Sequence, residues 1–279
     1  MKKNDVKKLQ QLLNSAGFNA GLLDGILGPM TLGASATYLF EEHADVGCAE
    51  RALSKLTPVQ TSEYLDGIDI SGHNGKVDWE AVADAGCKYA WVKATEGTTH
   101  KQKSMQRNLD GARAWGIPVG AYHYGRPNTY QSLRLEDARR EAENFLKHYG
   151  TPQPDDIAPV LDVESGYIKT DHNYNVDWTH EWCRVVEDGI GCKPVIYTAR
   201  WAVQSRLIKA DSLDSLSQYK LWWAEYRPES VKAPTKTMTP WTDWTCWQWT
   251  GHGSIDGVNG RVDRNRMKPG ELAKLKVYA

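Results

Sequence analysis

The chain is expected to be an α/β protein: an irregular, TIM-like β/α barrel of about eight strands, preceded by a small all-α domain of three short helices. Three observations lead there. Short apolar, β-prone runs recur from Leu65 onward; helical stretches separate several of them; and residues 1–56 carry helical rather than strand spacing. Alternating strand and helix implies a parallel sheet, and eight strands in about 215 residues suit a closed barrel better than an open sheet.

The front of the chain divides at its turn residues. Asn4 or Asp5 can cap a helix whose apolar positions Val6, Leu9, Leu12 and Leu13 recur at helical spacing, and Gly17 stops it. Asp24-Gly25 makes a tight turn, and Gly28-Pro29 breaks the chain before Met30 to Phe40 resumes a helix. Residues 57–64, polar and containing Pro58, are expected to be a linker to a domain spanning 65–279.

In that domain the strand-like runs are Gly67–Ile70, Tyr89–Val92, Pro118–Tyr122, Ala158–Leu161, Pro194–Tyr197, Leu221–Ala224, Thr245–Trp249 and the surroundings of Val262. Helices are expected at Trp79–Gly86, Met105–Trp115, Leu135–Tyr149 and Val176–Gly189, with the last connections short on helix. A parallel barrel builds its site at the carboxyl ends of the strands. The polar residues there are Asp69, then Lys93 and Glu96, His123 and Tyr124, Asp162 and Glu164, Tyr197, then Trp223, Glu225 and Tyr226, Gln248, and Asp263.

Bulk properties exclude several partners. A formal charge of −1 over 279 residues leaves no electrostatic footprint for nucleic acid or an anionic membrane. No apolar run reaches membrane-spanning length. Five cysteines (Cys48, Cys87, Cys183, Cys192, Cys246) are an odd set without metal-ligand spacing, which fits a reducing compartment. The eight histidines form no H-E-x-x-H pattern, so no metal or cofactor is expected. Twelve tryptophans and thirteen tyrosines stand beside three phenylalanines, a bias toward flat rings with a polar edge that suits sugar stacking, although any single Trp is more often core. The N-terminal Met-Lys-Lys begins like a signal peptide but lacks the apolar stretch that should follow.

The central motif is Pro159-Val160-Leu161-Asp162-Val163-Glu164. Residues i and i+2 of a strand share a face, so two carboxyl groups crowd together and one pKa should rise. A protonated acid beside an ionised one is what glycosidic cleavage needs. Alone, D-x-E at a strand end also makes ordinary salt bridges. His123 could equally be a hydrogen-bonded structural residue, and Lys93 and Glu96 an ion pair at the barrel mouth.

Further motifs in order supply context: Gly-Ile-Asp-Ile-Ser at 67–71, Val-Lys-Ala-Thr-Glu-Gly at 92–97, Gly-Ala-Tyr-His-Tyr at 120–124, Pro-Val-Ile-Tyr-Thr at 194–198, Leu-Trp-Trp-Ala-Glu-Tyr at 221–226, Trp-Gln-Trp at 247–249 and Gly-Arg-Val-Asp-Arg-Asn at 260–265. With Pro-Val-Leu-Asp-Val-Glu at 159–164, they make residues 66–267 resemble the family 25 glycoside hydrolases, lysozymes of the Chalaropsis type. The resemblance implies a β/α barrel with irregular last strands and cleavage of the β-1,4 bond between N-acetylmuramic acid and N-acetylglucosamine. It makes Glu164 the proton donor, gives Asp162 the substrate's acetamido group or an attacking water, and completes the acidic ring with Asp69 and Asp263. Glu96, His123, Tyr124, Tyr197, Trp223, Tyr226 and Gln248 become the substrate-binding candidates. An inverting route and one using the substrate's acetamido oxygen both remain open. Asp256 competes with Asp263 for the terminal position. Glu225 stands where the family often carries His, and Arg264 where it usually carries an apolar residue.

The Asp-Gly-x-x-Gly-Pro-x-Thr turn at 24–31, after the Val6–Phe18 helical segment, resembles the three-helix peptidoglycan-binding module. The two resemblances together imply a modular bacteriophage endolysin. Such an enzyme is expected to be made in the host cytoplasm, to act as a monomer on peptidoglycan glycan strands, and to depend on a separate holin to reach them. A catalytically inactive wall-binding protein and a chitinase-like hydrolase on a similar barrel are the rival readings.

Overall fold

The computed structural model describes Gln10, residues 64–128 and residues 134–278. Apart from Gln10 and Tyr64, the expected three-helix module and linker lie outside the described residues. The chain divides into two units, Met1–Ser62 and Glu63–Ala279, and the second is the one described here.

Every apolar run expected to be a strand enters one sheet. Its strands are β1 (Leu65–Ile70), β2 (Tyr89–Glu96), β3 (His100–Lys101), β4 (Val119–Tyr124), β5 (Val160–Val163), β6 (Val195–Ala199), β7 (Leu221–Ala224), β8 (Cys246–Gly253) and β9 (Val262–Met267). β3 is a two-residue antiparallel flap on the end of β2. The other strands close into an eight-stranded barrel, because β1 pairs with β2 on one side and β9 on the other.

The barrel departs from the expected all-parallel pattern in one strand. β9 runs antiparallel to both β8 and β1. A helix-free hairpin between β8 and β9 forces this reversal, since parallel neighbours need a long crossover. Asp263 was expected at the carboxyl end of a strand but sits near the start of β9, opposite Asp69. The reversal still delivers it to the same mouth.

The helices lie where spacing and caps put them: α1 (Trp79–Asp84), α2 (Met105–Ala114), α3 (Arg134–Tyr149) and α4 (His172–Ile190). Asp78 caps α1 by accepting from the Glu80 and Ala81 amides, and Asp171 caps α4 by accepting from Tyr174 N at 2.9 Å. Gly191, left-handed at φ 88°, ends α4. After β6 the regular rhythm fails: one α turn (Arg200–Ala202) runs into a π-helical turn (Val203–Leu207) and then a 3₁₀ segment (Leu213–Gln218). None of the helices among the described residues is long and apolar enough to cross a membrane.

Two apolar layers hold the barrel. The larger lies between sheet and helices and includes Ile68, Val92, Phe145, Trp178, Trp182, Trp223 and Trp247. The smaller fills the barrel itself with Tyr89, Trp91, Val160, Val195, Trp222, Cys246 and Met267, closed below by Leu275. Trp91 stacks on Trp222 at 4.5 Å between ring centroids. Rings this large need small neighbours: a Cβ on Gly67 would stand 2.4 Å from the Tyr89 ring, and one on Gly120 2.8 Å from Trp91. Burying this inner aromatic plug leaves only the upper, polar rung of the barrel facing water.

Candidate active site

Above that plug the upper rung forms a groove of about 520 Å³. Asp69, Asp162, Glu164 and Asp263 line it together with Tyr122, Tyr197, Trp222, Tyr226 and Gln248. Asp69, Asp162 and Tyr197 come from β1, β5 and β6, while Glu164 follows β5 directly. The carboxyl groups, far apart in sequence, therefore converge because each lies at the same end of the barrel, Asp69, Asp162 and Glu164 at carboxyl ends of strands and Asp263 at the start of the reversed β9.

A hydrogen-bond chain fixes the floor. Asp69 Oδ2 accepts from Gln248 Nε2 at 2.9 Å and Asn265 Nδ2 at 2.8 Å. Trp222 Nε1 donates to Asn265 Oδ1 at 2.8 Å. Tyr197 and Tyr226 both donate to Gln248 Oε1, at 2.9 and 3.2 Å. Because Gln248 accepts on one atom and donates from the other, its amide orientation is determined, and with it the position of Asp69. Asp162 differs: its Oδ1 is buried without a hydrogen-bond partner among the described residues. An unpaired buried oxygen at the foot of an open groove is an acceptor waiting for a donor.

The carboxyl groups titrate as two pairs. Burial pushes Asp162 well above the usual carboxylate range, and the neighbouring charge of Glu164 adds to the shift. Burial likewise raises Glu164, opposed by hydrogen bonding to Asp162 and the positive charge of Lys93. Across the groove, burial and then Asp263 raise Asp69, while burial raises Asp263 itself. Each pair thus holds a proton at a pH where an exposed carboxylate has lost it.

Other candidate positions fall elsewhere. His123 does not face the groove. It is fully buried on the outer side of β4, between Thr95 Oγ1 at 2.7 Å and Glu141 Oε2 at 2.8 Å, and stacks on Trp182. Trp223 is also turned outward into the helix-facing layer; Trp222 is the residue that lines the groove. Both corrections have one cause: neighbouring strand residues point to opposite faces, so Tyr122 and His123, or Trp222 and Trp223, cannot both face inward. Tyr122 and Trp222, absent from the sequence-based candidates, line the groove instead, and the period of two along each strand is the signal that marks them.

Glu96 and Tyr124 belong to the rim outside the acidic groove. Glu96 Oε2 accepts from Lys93 Nζ at 2.6 Å, and its Oε1 from Arg126 Nη2 at 2.6 Å. Both cations lie over the Tyr124 ring, at 5.0 and 4.7 Å, and Tyr124 hydrogen-bonds Ser165. Lys93 keeps the inward alternation of Tyr89 and Trp91, and a β-bulge between Lys93 and Thr95 then turns Thr95 outward to His123.

The two departures from the family pattern have structural roles. Glu225 holds the following loop, accepting from Arg227 Nε at 2.7 Å, Thr235 N at 3.0 Å and Lys236 N at 3.0 Å. Those bonds outweigh partial burial and pull its carboxyl down to about 2, so it stays ionised. Arg264 donates to Ser254 O at 2.6 Å and braces the β8–β9 hairpin. Asp256 is exposed in that hairpin, whereas Asp263 lines the groove.

A closed barrel with a groove of paired, proton-retaining carboxyl groups and aromatic walls defines a glycoside hydrolase. The comparisons make this specific: residues 68–258 match the family described as Glycosyl hydrolases family 25, and the chain belongs to that family. It is 30% identical over 254 residues to Lysozyme M1 of Streptomyces globisporus, covering 86% of this chain and 78% of the relative. Its fold matches the bacterial lysozyme from Streptomyces coelicolor with a TM-score of 0.65 and 27% identity, over 77% of this chain and 96% of that one. The CTP1L endolysin matches with a TM-score of 0.61 and 27% identity, over 75% of this chain and 68% of that one.

Proposed function

We propose that the protein is an N-acetylmuramidase that cuts the β-1,4 bond between N-acetylmuramic acid and N-acetylglucosamine in peptidoglycan, with Glu164 as proton donor. The observation that carries the reading is the Asp162–Glu164 pair: two carboxyl groups at the end of β5, both raised by burial, with Asp162 Oδ1 left without a hydrogen-bond partner among the described residues. Glu164 donates its proton to the glycosidic oxygen as the C1–O bond breaks. The 2-acetamido oxygen closes on C1, while Asp162 Oδ1 accepts the acetamido N–H and balances its growing positive charge. Water then opens the ring intermediate, passing a proton to the Glu164 carboxylate and restoring the acid, so the β-anomer is released. Asp69 and Asp263 keep the far side of the groove polar, and Tyr197, Tyr226 and Gln248 orient the sugar.

A lytic, endolysin-type role is supported by the likeness to the CTP1L endolysin and by the resemblance of the Asp24–Thr31 turn to a wall-binding module. In that role a separate holin opens the membrane and the front module holds the enzyme on the wall. Mass spectrometry of digested walls tests the bond specificity. Reducing-end muramic acid is expected; reducing-end glucosamine points to the chitinase-like reading, and intact glycan to a binding protein without activity.

A further inference from the structure

One wall of the groove is not part of the acidic machinery. The helical turn after β6 places Arg200, Trp201 and Gln204 along it. Residues i and i+4, or i and i+3, share a helix face, which puts Gln204 beside both Arg200 and Trp201. The opposite face buries Ala202, Val203, Arg206 and Leu207. The turn widens into a π-helix at Val203–Leu207, a form that recurs at functional sites. Asn175 of α4 donates to Arg206 O at 2.8 Å, and Thr198 donates to Val163 O at 2.8 Å, one residue before Glu164. The wall is therefore fixed relative to the acid.

Its composition points to a ligand. Of the twelve tryptophans, Trp201 is the one classed as exposed, with 47% of its surface open. An indole left in water beside a groove of polar groups is a flat platform for a sugar ring. Arg200 is the one basic residue among the described residues lining the groove, and it has no hydrogen-bond or ion-pair partner among them. The paired carboxyl groups keep negative charge in the same groove, so a substrate that brings its own carboxylate is repelled unless a cation receives it.

We propose that Arg200, Trp201 and Gln204 form a subsite for the carboxylate-bearing muramic acid unit, with Trp201 stacking on the sugar and Arg200 pairing with the carboxylate of its lactyl arm or attached peptide. The inference rests on the muramidase reading and names what makes the enzyme prefer an acidic glycan to a neutral one. Arg offers a planar fork that matches a carboxylate in two parallel bonds, and Gln204 supplies an amide for the adjoining carbonyl.

The test uses the full chain and three soluble glycans: peptide-free strands with free lactyl carboxylates, strands carrying stem peptides, and peptide-free strands whose carboxyl groups are converted to neutral methylamides. Arg200→Gln is expected to raise KM about tenfold on a carboxylate-bearing strand and under about twofold on the neutral one. An effect confined to the first strand assigns the lactyl carboxylate; one confined to the second assigns the peptide's. Trp201→Ala is expected to raise KM about threefold to tenfold on all three strands alike. An equal KM change with Arg200→Gln on charged and neutral strands overturns the carboxylate assignment, and an unchanged Trp201→Ala overturns the platform. If the wild-type protein releases no reducing-end muramic acid, the muramidase reading has failed instead, which is a separate result.

Discussion

One residue apart on β4, Tyr122 and His123 look into two different buried polar clusters. Tyr122 faces the groove with Asp69, Asp162, Glu164 and Asp263; His123 faces the helix layer with Thr95 and Glu141. Both clusters hold strongly shifted groups. Burial pulls His123 down to about 3 and pushes Glu141 up to about 9. By titration alone the outer cluster looks as catalytic as the inner one. The difference is access and satisfaction. His123 is fully buried with both ring nitrogens paired, and Glu141 Oε2 is taken by His123 and by Arg126 N at 3.0 Å, so the imidazole has no atom left to receive a substrate. In the groove, Asp162 Oδ1 has no partner among the described residues and the cavity is open. A shifted pKa marks a buried group; an open path and an unpaired atom mark a working one.

Mutations can sharpen or break that contrast. Glu164→Gln is expected to lower kcat on peptidoglycan by about a thousandfold or more without loss of fold, because it removes proton transfer and little packing. Glu141→Gln, read by the same turbidity assay per folded molecule, should stay within about threefold of wild type; an equal loss would erase the distinction. Asp162→Asn is expected to cost about a hundredfold in kcat with a smaller change in KM, the mark of charge stabilisation in the transition state. Trp223→Ala, on the outer side of β7, should cost about 3–5 kcal/mol in urea unfolding while leaving the KM of the remaining folded protein unchanged.

The smallest effect concerns pH. The Glu141 carboxyl is raised, so the stability it contributes is complete below its ordinary 4.5 and is lost as pH climbs toward about 9. His123 is depressed, so its contribution is present above its ordinary 6.5 and is lost as pH falls toward about 3. The two are hydrogen-bonded and share the cost between them. Glu141→Gln should therefore flatten the alkaline decline in Tm, by a few degrees at most; an unaltered slope would mean that Glu141 is not protonated in the folded state.

The same contrast explains what the sequence disclosed. Strand runs such as Tyr89–Val92 and Pro118–Tyr122 are legible because a barrel strand, buried on both faces, is apolar throughout. That very property hides direction. With Leu221-Trp222-Trp223-Ala224 apolar at each position, no alternation says which indole points inward, so the sequence does not separate Trp223 from Trp222. His123 and Tyr124, adjacent and both polar, are likewise not separated by the sequence. The acids were easier, since charge at a strand end tolerates only an outlet to water or a partner. Asp263 was found although its strand runs opposite to the expected direction, because the motif fixes the residue and not the polarity. The β2 bulge that turns Thr95 outward has no local signal in Val92-Lys93-Ala94-Thr95.

The central claim, that Glu164 hands its proton to the departing sugar, is tested most directly by changing how much the leaving group needs that proton. Wild type and Glu164→Gln should be compared on a natural glycan strand and on a short glycoside carrying a dinitrophenol leaving group. The account predicts a loss of about a thousandfold on the natural strand but less than about tenfold on the dinitrophenyl substrate, whose leaving group departs without assistance. Equal losses on both substrates would contradict it.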